Sequence, residues 1–152
     1  MKTGVIGCGN MATAIIGGLI AGGFASPEDI TASDRSDEAR RKLAAKYGVT
    51  TKADNKKCIE HAEIVLFAVK PNVFPVIAEE LREAVKGKLI ISIMAGRSIA
   101  DLEGGLGEDQ KIVRAMPNTP ALVGAGITGW CANKKRHGGG KKECGRFYRR
   151  IQ

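Results

Sequence analysis

A chain of 152 residues, 43% hydrophobic and 26% charged, has the makeup of one globular unit with a single core and is too small for two full lobes. No stretch approaches the roughly 18 to 20 uninterrupted apolar residues of a bilayer helix, and Met1 to Gly7 runs straight into a strand and a glycine turn without the apolar region of a secretory leader. A membrane protein is thereby excluded and a cytoplasmic location expected. The net charge of +8 is concentrated at one end: from Asn133 to Gln152 eight Lys or Arg stand against the one acid Glu143, and the remainder is nearly balanced. A nucleic-acid partner could rest only on that tail, and none is expected. Cys8, Cys58, Cys131 and Cys144 are widely spaced with no C-x-x-C pair, so neither a metal site nor a redox dithiol is expected.

The elements follow in chain order. Lys2 to Ile6 is a short apolar strand ending in glycine, and Met11 to Ala21 is a helix with apolar residues on nearly all sides, closed by Gly22-Gly23. Ser26-Pro27-Glu28 is a turn, and Ile30 to Ser33 a second strand. Ser36 caps a helix over Asp37 to Tyr47, with acids at its start, bases later, and Gly48 where a left-handed residue is needed. Asn55 to Ala62 reads as a short helix. Ile64 to Val69 is a continuous apolar strand of the kind buried on both faces. Val73, Ile77, Leu81 and Val85 stand opposite Glu79, Glu80 and Glu83, an amphipathic helix closed by Gly87. Leu89 to Ile93 is a buried strand, Ile99 to Leu106 a brief helix, and Lys111 to Ala115 and Ile127 to Cys131 are strands joined through the loop Met116 to Pro120. This alternation predicts an α/β, Rossmann-like fold: a mostly parallel sheet with helices on both faces, over residues 1–132.

Gly7-Cys8-Gly9-Asn10-Met11-Ala12 fits the pattern G-x-G-x-x-[GA], which is weak alone. Context strengthens it, because the first glycine follows a strand, the pattern opens a helix, and the polar cluster Ser33-Asp34-Arg35-Ser36 ends the second strand. Gly7 permits the sharp turn, Gly9 lets the backbone approach a pyrophosphate, and Ala12 keeps helix and sheet close. Amide N–H groups at the helix start then face the phosphates. The end of the second strand chooses between NAD and NADP. An acid there accepts from the adenine ribose and repels a 2′-phosphate, whereas Arg attracts one, so Asp34 and Arg35 pull in opposite directions. NADP is favoured because Arg35 offers a phosphate two N–H donors while Asp34 can turn away; NAD stays open.

Four blocks together resemble one family: Ile6-Gly7-Cys8-Gly9-Asn10-Met11-Ala12, Ala68-Val69-Lys70-Pro71, Ser92-Ile93-Met94-Ala95-Gly96, and Arg114-Ala115-Met116-Pro117-Asn118-Thr119-Pro120-Ala121. They resemble pyrroline-5-carboxylate reductase from Met1 to about Ala132, and the last block is the most specific of them. The resemblance implies reduction of the C=N bond of 1-pyrroline-5-carboxylate to L-proline by hydride from NAD(P)H. It places Ile6, Gly7, Cys8, Gly9, Asn10 and Met11 around the pyrophosphate, Ser33, Asp34 and Arg35 at the adenosine end, and Asn55 on the adenine side. Ala68, Val69, Lys70 and Pro71, with Ile93, Met94 and Ala95, would line the ribose and nicotinamide, and Asn118 and Thr119 the nicotinamide-side loop. No catalytic residue is assigned. Lys70 reads either as a proton donor or carboxylate clamp, or as a loop-shaping, phosphate-facing residue, and His61 as a surface residue.

The resemblance also implies an all-helical second domain and a homo-oligomer. Residues 133–152 form instead a basic, glycine-rich tail that departs from the family, read as a frameshifted or a disordered segment. A one-base shift of frame across Lys135 to Phe147 can encode a polar, acid-rich helix start. Three readings remain open: the cofactor-binding half of the reductase, a non-catalytic NAD(P)-binding fragment, and a related imine or carbonyl reductase.

Overall fold

The computed structural model describes residues 1–117 and 128–133. Its strands are β1 (Thr3–Ile6), β2 (Ile30–Ser33), β3 (Thr50–Lys52), β4 (Ile64–Phe67), β5 (Leu89–Ser92), β6 (Lys111–Pro117) and β7 (Thr128–Ala132), in one sheet of order β3-β2-β1-β4-β5-β6-β7. All neighbours are parallel except β6 and β7, which pair antiparallel with Ala115 opposite Trp130. The helices are α1 (Asn10–Ala21), α2 (Asp37–Tyr47), α3 (Asn55–Ile59), α4 (Phe74–Leu81) and α5 (Ile99–Leu106). None is long and apolar enough to cross a membrane.

Alternation along the strands divides the core in two. Val5, Ile64, Leu66, Ile91 and Val113 point to one face, where Ile15, Ile16 and Leu19 of α1 and Leu43 of α2 meet them. Ile6, Val65, Phe67, Ile90 and Ile112 point to the other, against Ile59 of α3, Ile77 and Leu81 of α4, and Leu102 and Leu106 of α5. Because both faces are covered, β1, β4 and β5 are buried along their whole length, which is why they read as unbroken apolar runs. The small Ala12 is 1% exposed and lets α1 lie close to the sheet.

The α2 signals act as expected. The Ser36 hydroxyl accepts from the Ala39 N–H at 3.1 Å, Asp37 and Glu38 stand at the positive end, and Gly48 is left-handed at φ 71°. The structure differs from the sequence reading in several places, among them β6, which runs on through Met116 and Pro117 where a loop is expected. β3, which carries no apolar residue, was not expected; it joins the edge of the sheet by backbone pairing to β2. α3 ends at Ile59 and β4 at Phe67, each earlier than expected. Pro71–Val73 forms a 3₁₀ turn ahead of α4, which keeps Pro75 in its first turn, where a missing N–H costs no helical bond. α4 stops at Leu81, and the chain continues in turns that still bury Val85.

Two thiols belong to the core. Burial and the neighbouring Asp34 charge push Cys8 up to about 12, and burial pushes Cys58 up to about 11. At pH 8 the Cys8 thiolate is then on the order of one molecule in ten thousand. Iodoacetamide at that pH should label the exposed Cys131 in the folded chain and spare Cys8 and Cys58, with all three labelled in urea; native labelling of Cys8 at the rate of Cys131, read by peptide mass mapping, would contradict this burial. The Phe67 and Phe74 rings, 0% and 2% exposed, meet edge to face with centroids 5.9 Å apart. Phe67→Ala should cost roughly 3–5 kcal/mol in urea unfolding, and a loss under about 1 kcal/mol would show that the site collapses around the gap.

Candidate functional site

β1, β2 and β4 end level with one another, Ile6 beside Ser33 on one side and beside Phe67 on the other. From there the chain leaves β1 toward α1 on one face of the sheet and leaves β4 toward α4 on the opposite face. Diverging connections open a crevice at the carboxyl ends of the strands. The crevice is a cleft of about 280 Å³ lined by Ile6, Gly7, Gly9, Ser33, Asp34, Arg35, Asn55, Ala68, Val69 and Lys70, all expected from sequence, and by Val73 and Ile77, which were not.

The floor is knitted by the backbone. Gly7 N–H donates to the Ser33 carbonyl at 2.7 Å and Ala68 N–H to the Ile6 carbonyl at 2.9 Å, tying the ends of three strands together. Gly7 has φ 106°, and a Cβ there would lie 2.5 Å from the Ala68 carbonyl oxygen, so glycine is required by the fold itself. Gly9 is different. Its backbone is extended at φ −74° and ψ −176°, open to any residue, and a Cβ would meet no atom within 4 Å. The missing side chain leaves open space at the start of α1, where packing does not demand it.

That helix start is also electrically open. Ser36, Asp54 and Ser98 cap α2, α3 and α5 with their side chains, and Asp101 completes a capping box on α5. The Lys57 backbone N–H holds the Asp54 carboxyl below its ordinary range, as the Ser98 N–H does for Asp101. α1 has no side-chain cap and no acid in its first turn. Its first N–H groups are therefore left for a group from outside the helix, and the helix dipole favours an anion.

At the β2 end of the cleft the side chains are strongly ordered. Asp34 Oδ2 accepts from the Cys8 N–H at 2.8 Å and Oδ1 from the Ser36 N–H at 2.8 Å. Arg40 Nη1 donates to the Asp34 carbonyl at 2.6 Å. Arg35 is exposed beside them. The acids next to it are taken by others, Asp37 by Arg40 and Arg41, and Glu38 by Lys42. The fully buried Ser33 hydroxyl donates to Asn55 Oδ1 at 2.7 Å, and Asn55 Nδ2 donates to Glu80 at 3.2 Å, which fixes the orientation of the Asn55 amide.

Other sequence-expected residues lie elsewhere. Cys8 and Asn10 face a hollow on the far side of the glycine turn, with Lys42 and Lys46, and Met11 packs half-buried against the core. Ile93, Met94 and Ala95 follow β5 outside the cleft lining, with Ile93 half-buried, Met94 2% exposed in the core and Ala95 exposed. Asn118, Thr119 and the tail lie outside the described residues. One connection was missed: Arg97 Nε and Nη2 donate to the Pro71 carbonyl at 3.1 and 2.8 Å, and its guanidinium lies 5.6 Å from the Phe74 ring centroid. It ties the loop after β5 to the loop after β4, and nothing in the sequence links positions 26 residues apart.

The cleft can hold an elongated anion. It offers an open helix start in the middle, the cations Arg35 and Lys70 on its walls, and Val73 and Ile77 as an apolar surface for a flat ring.

Known proteins agree with that geometry. A pyrroline-5-carboxylate reductase of Escherichia coli (strain K12) is 41% identical over 128 residues, 84% of this chain and 48% of that protein. The structure of a pyrroline-5-carboxylate reductase from Coxiella burnetii superposes with a TM-score of 0.92 at 37% identity, over 99% of this chain and 56% of that one. The pyrroline carboxylate reductase of Plasmodium falciparum, solved with NADP bound, gives 0.89 at 28% identity, over 99% of this chain and 55% of that one. The chain thus spans about half the length of the reductases it matches. A family model described as "NADP oxidoreductase coenzyme F420-dependent" matches residues 2–96, the stretch containing the glycine turn and the whole cleft, and the chain belongs to that family.

Proposed function

We propose that this chain holds NADP(H) in the cleft at the ends of β1, β2 and β4, as the cofactor-binding half of a reductase that converts 1-pyrroline-5-carboxylate to L-proline. The observation that carries the reading is the glycine turn: an uncapped α1 opening onto space that a Gly9 Cβ would occupy. The likeness to pyrroline-5-carboxylate reductases over 84% of the chain supplies the reaction.

The residues present fit a dinucleotide. The N–H groups at the start of α1 face the pyrophosphate, and Gly9 lets it come close. Val73 and Ile77 flank the adenine, with Asn55 oriented by Ser33 and Glu80 beside it. Arg35 takes the 2′-phosphate through its paired N–H donors. Lys70 lines the same cleft as Arg35, and this shared placement favours a phosphate-facing role over proton donation. The loops after β4 and β5, joined by Arg97, support the ribose and nicotinamide.

When bound, NADPH supplies a hydride to the imine carbon, while the ring nitrogen takes a proton. For such a transfer the protein's task is orientation and exclusion of water, with donor and acceptor carbons held roughly 3 to 3.5 Å apart. The reaction needs no nucleophile or carboxylate pair, and the cleft is built accordingly, from backbone amides, two cations and apolar walls.

Gly9→Ala separates site from scaffold. Its unfolding free energy should stay within about 0.5 kcal/mol of the parent, while NADP⁺ affinity falls tenfold or more; equal affinity would remove the pyrophosphate from the turn. Arg35→Ala should weaken NADP⁺ at least tenfold and leave NAD⁺ nearly unchanged, and an equal loss for both would deny the 2′-phosphate role. With 1-pyrroline-5-carboxylate added to the NADPH-bound chain, a stoichiometric complex without steady NADPH consumption is expected of a cofactor-holding half. Steady consumption with proline formed would show a reductase complete in this chain.

A further inference from the structure

The acid at the end of β2 is where a ribose acceptor is expected, and its geometry assigns it another task. We infer that Asp34 is a positioning residue that staples the glycine turn to the β2–α2 turn and thereby shapes the pyrophosphate site, rather than a group that binds the adenine ribose. The inference rests on the dinucleotide reading of the cleft.

Each carboxylate oxygen of Asp34 already accepts a backbone N–H at 2.8 Å, one from Cys8, inside the glycine turn and 26 residues away, and one from Ser36 on its own loop. The first bond fixes the Gly7–Cys8 peptide, one residue ahead of Gly9, the residue whose open Cβ space admits the ligand. The second closes the loop whose next residues begin α2. Arg40, on the first turns of α2, donates to the Asp34 carbonyl at 2.6 Å and to the Arg35 carbonyl at 3.2 Å, which holds the backbone of the same turn. Both carboxylate oxygens are committed to backbone amides, while the Arg40 charge is paired with Asp37. What faces the ribose from this turn is Arg35, which has no acid partner among the described residues. A 2′-phosphate thus meets Arg35, while the carboxylate that in sequence looks set to repel it is turned inward onto two amides.

The two roles give opposite affinity patterns. For a ribose acceptor, removing the carboxylate harms NAD⁺ and relieves repulsion of NADP⁺. For a staple, both dinucleotides suffer alike, because both carry the pyrophosphate, while adenosine 2′-phosphate, which lacks it, binds as before. Titrations of the full chain with NADP⁺, NAD⁺ and adenosine 2′-phosphate should be compared for the parent, Asp34→Ala and Asp34→Asn. Expected for Asp34→Ala is a loss of about tenfold or more for both dinucleotides, the size of one charge-assisted hydrogen bond, with their ratio and the adenosine 2′-phosphate affinity unchanged. Asp34→Asn, which keeps one acceptor oxygen, should recover part of the loss. Amide hydrogen exchange adds a readout that requires no variant: in the unliganded parent the Cys8 and Ser36 N–H groups should be protected, and in Asp34→Ala they should exchange freely.

A gain for NADP⁺ with a loss for NAD⁺ in Asp34→Ala would overturn the inference in favour of a ribose acceptor. So would unchanged dinucleotide affinity with a lower unfolding midpoint, the mark of a merely structural residue, or an unprotected Cys8 N–H in the parent. If the parent bound neither dinucleotide, the cofactor reading itself would fail, and this inference with it; a parent that binds both while Asp34→Ala shows the wrong pattern leaves that reading standing.

Discussion

Everything in this molecule that concerns a ligand depends on β1 having β2 on one side and β4 on the other, all three parallel and ending at one level. Parallel strands need crossovers, and crossovers of one hand on either side of β1 must lie on opposite faces of the sheet. The loops at the ends of β1 and β4 therefore part, and the gap between them cannot be filled by either. The hydrogen bonds from Gly7 to Ser33 and from Ala68 to Ile6 hold the edges of that gap in place. Because the Ala68 carbonyl occupies the room a Gly7 Cβ would need, the closeness of β1 and β4 at this level is itself what makes residue 7 a glycine.

The two glycines of the turn show how differently a motif can be required. Gly7 answers to the protein, through its positive φ and the Ala68 carbonyl. Gly9 answers to nothing in the protein, since both its backbone angles and its surroundings would accept alanine. A glycine without an internal reason, at a helix start that no side chain caps, points to a group supplied from outside. α2 and α5, by contrast, have starts closed by Ser36 and Ser98, and α4, which also lacks a side-chain cap, continues from the 3₁₀ turn Pro71–Val73.

Most of the fold was legible because both faces of the sheet are buried. β1, β4 and β5 announce themselves as apolar runs, and α4 by its spacing of Ile77, Leu81 and Val85. What escaped lies where hydrophobicity says nothing. β3 is Thr50-Thr51-Lys52, a strand made by backbone pairing at the sheet edge, with no residue fully buried. The ends of β4 and α4 were misjudged because Val69 and Val85 continue the apolar pattern after the regular hydrogen bonds stop. Among the cleft-lining residues, those of the glycine turn were read from glycine spacing, Ser33, Asp34 and Arg35 from the polar cluster that ends the second strand, and Asn55 and Lys70 from the family likeness. Val73 and Ile77 were read as core alone, since a residue that walls a cleft has the same spacing as one that fills a core. Arg97 gave no signal, because its partner is a main-chain carbonyl that any residue could offer.

Cofactor choice was the least legible property, for a reason that lies in the Asp34-Arg35 pair. The sequence presents an acid and a base at adjacent positions, and which one faces the ribose depends on a side-chain rotation that composition does not record. The surrounding backbone decides it. To swing toward a ribose, Asp34 would give up two amide bonds, each worth about 1.5–3 kcal/mol for a charged acceptor, and leave the partly buried Cys8 N–H unpaired at about 1–3 kcal/mol, whereas the exposed Ser36 N–H could turn to water. Ribose hydroxyls could return bonds of the same kind but could not repair the orphaned Cys8 amide. The carboxylate therefore stays turned inward, and in the proposed reading an acid that looks in sequence like a determinant of NAD becomes part of the frame that presents Arg35 to the cofactor.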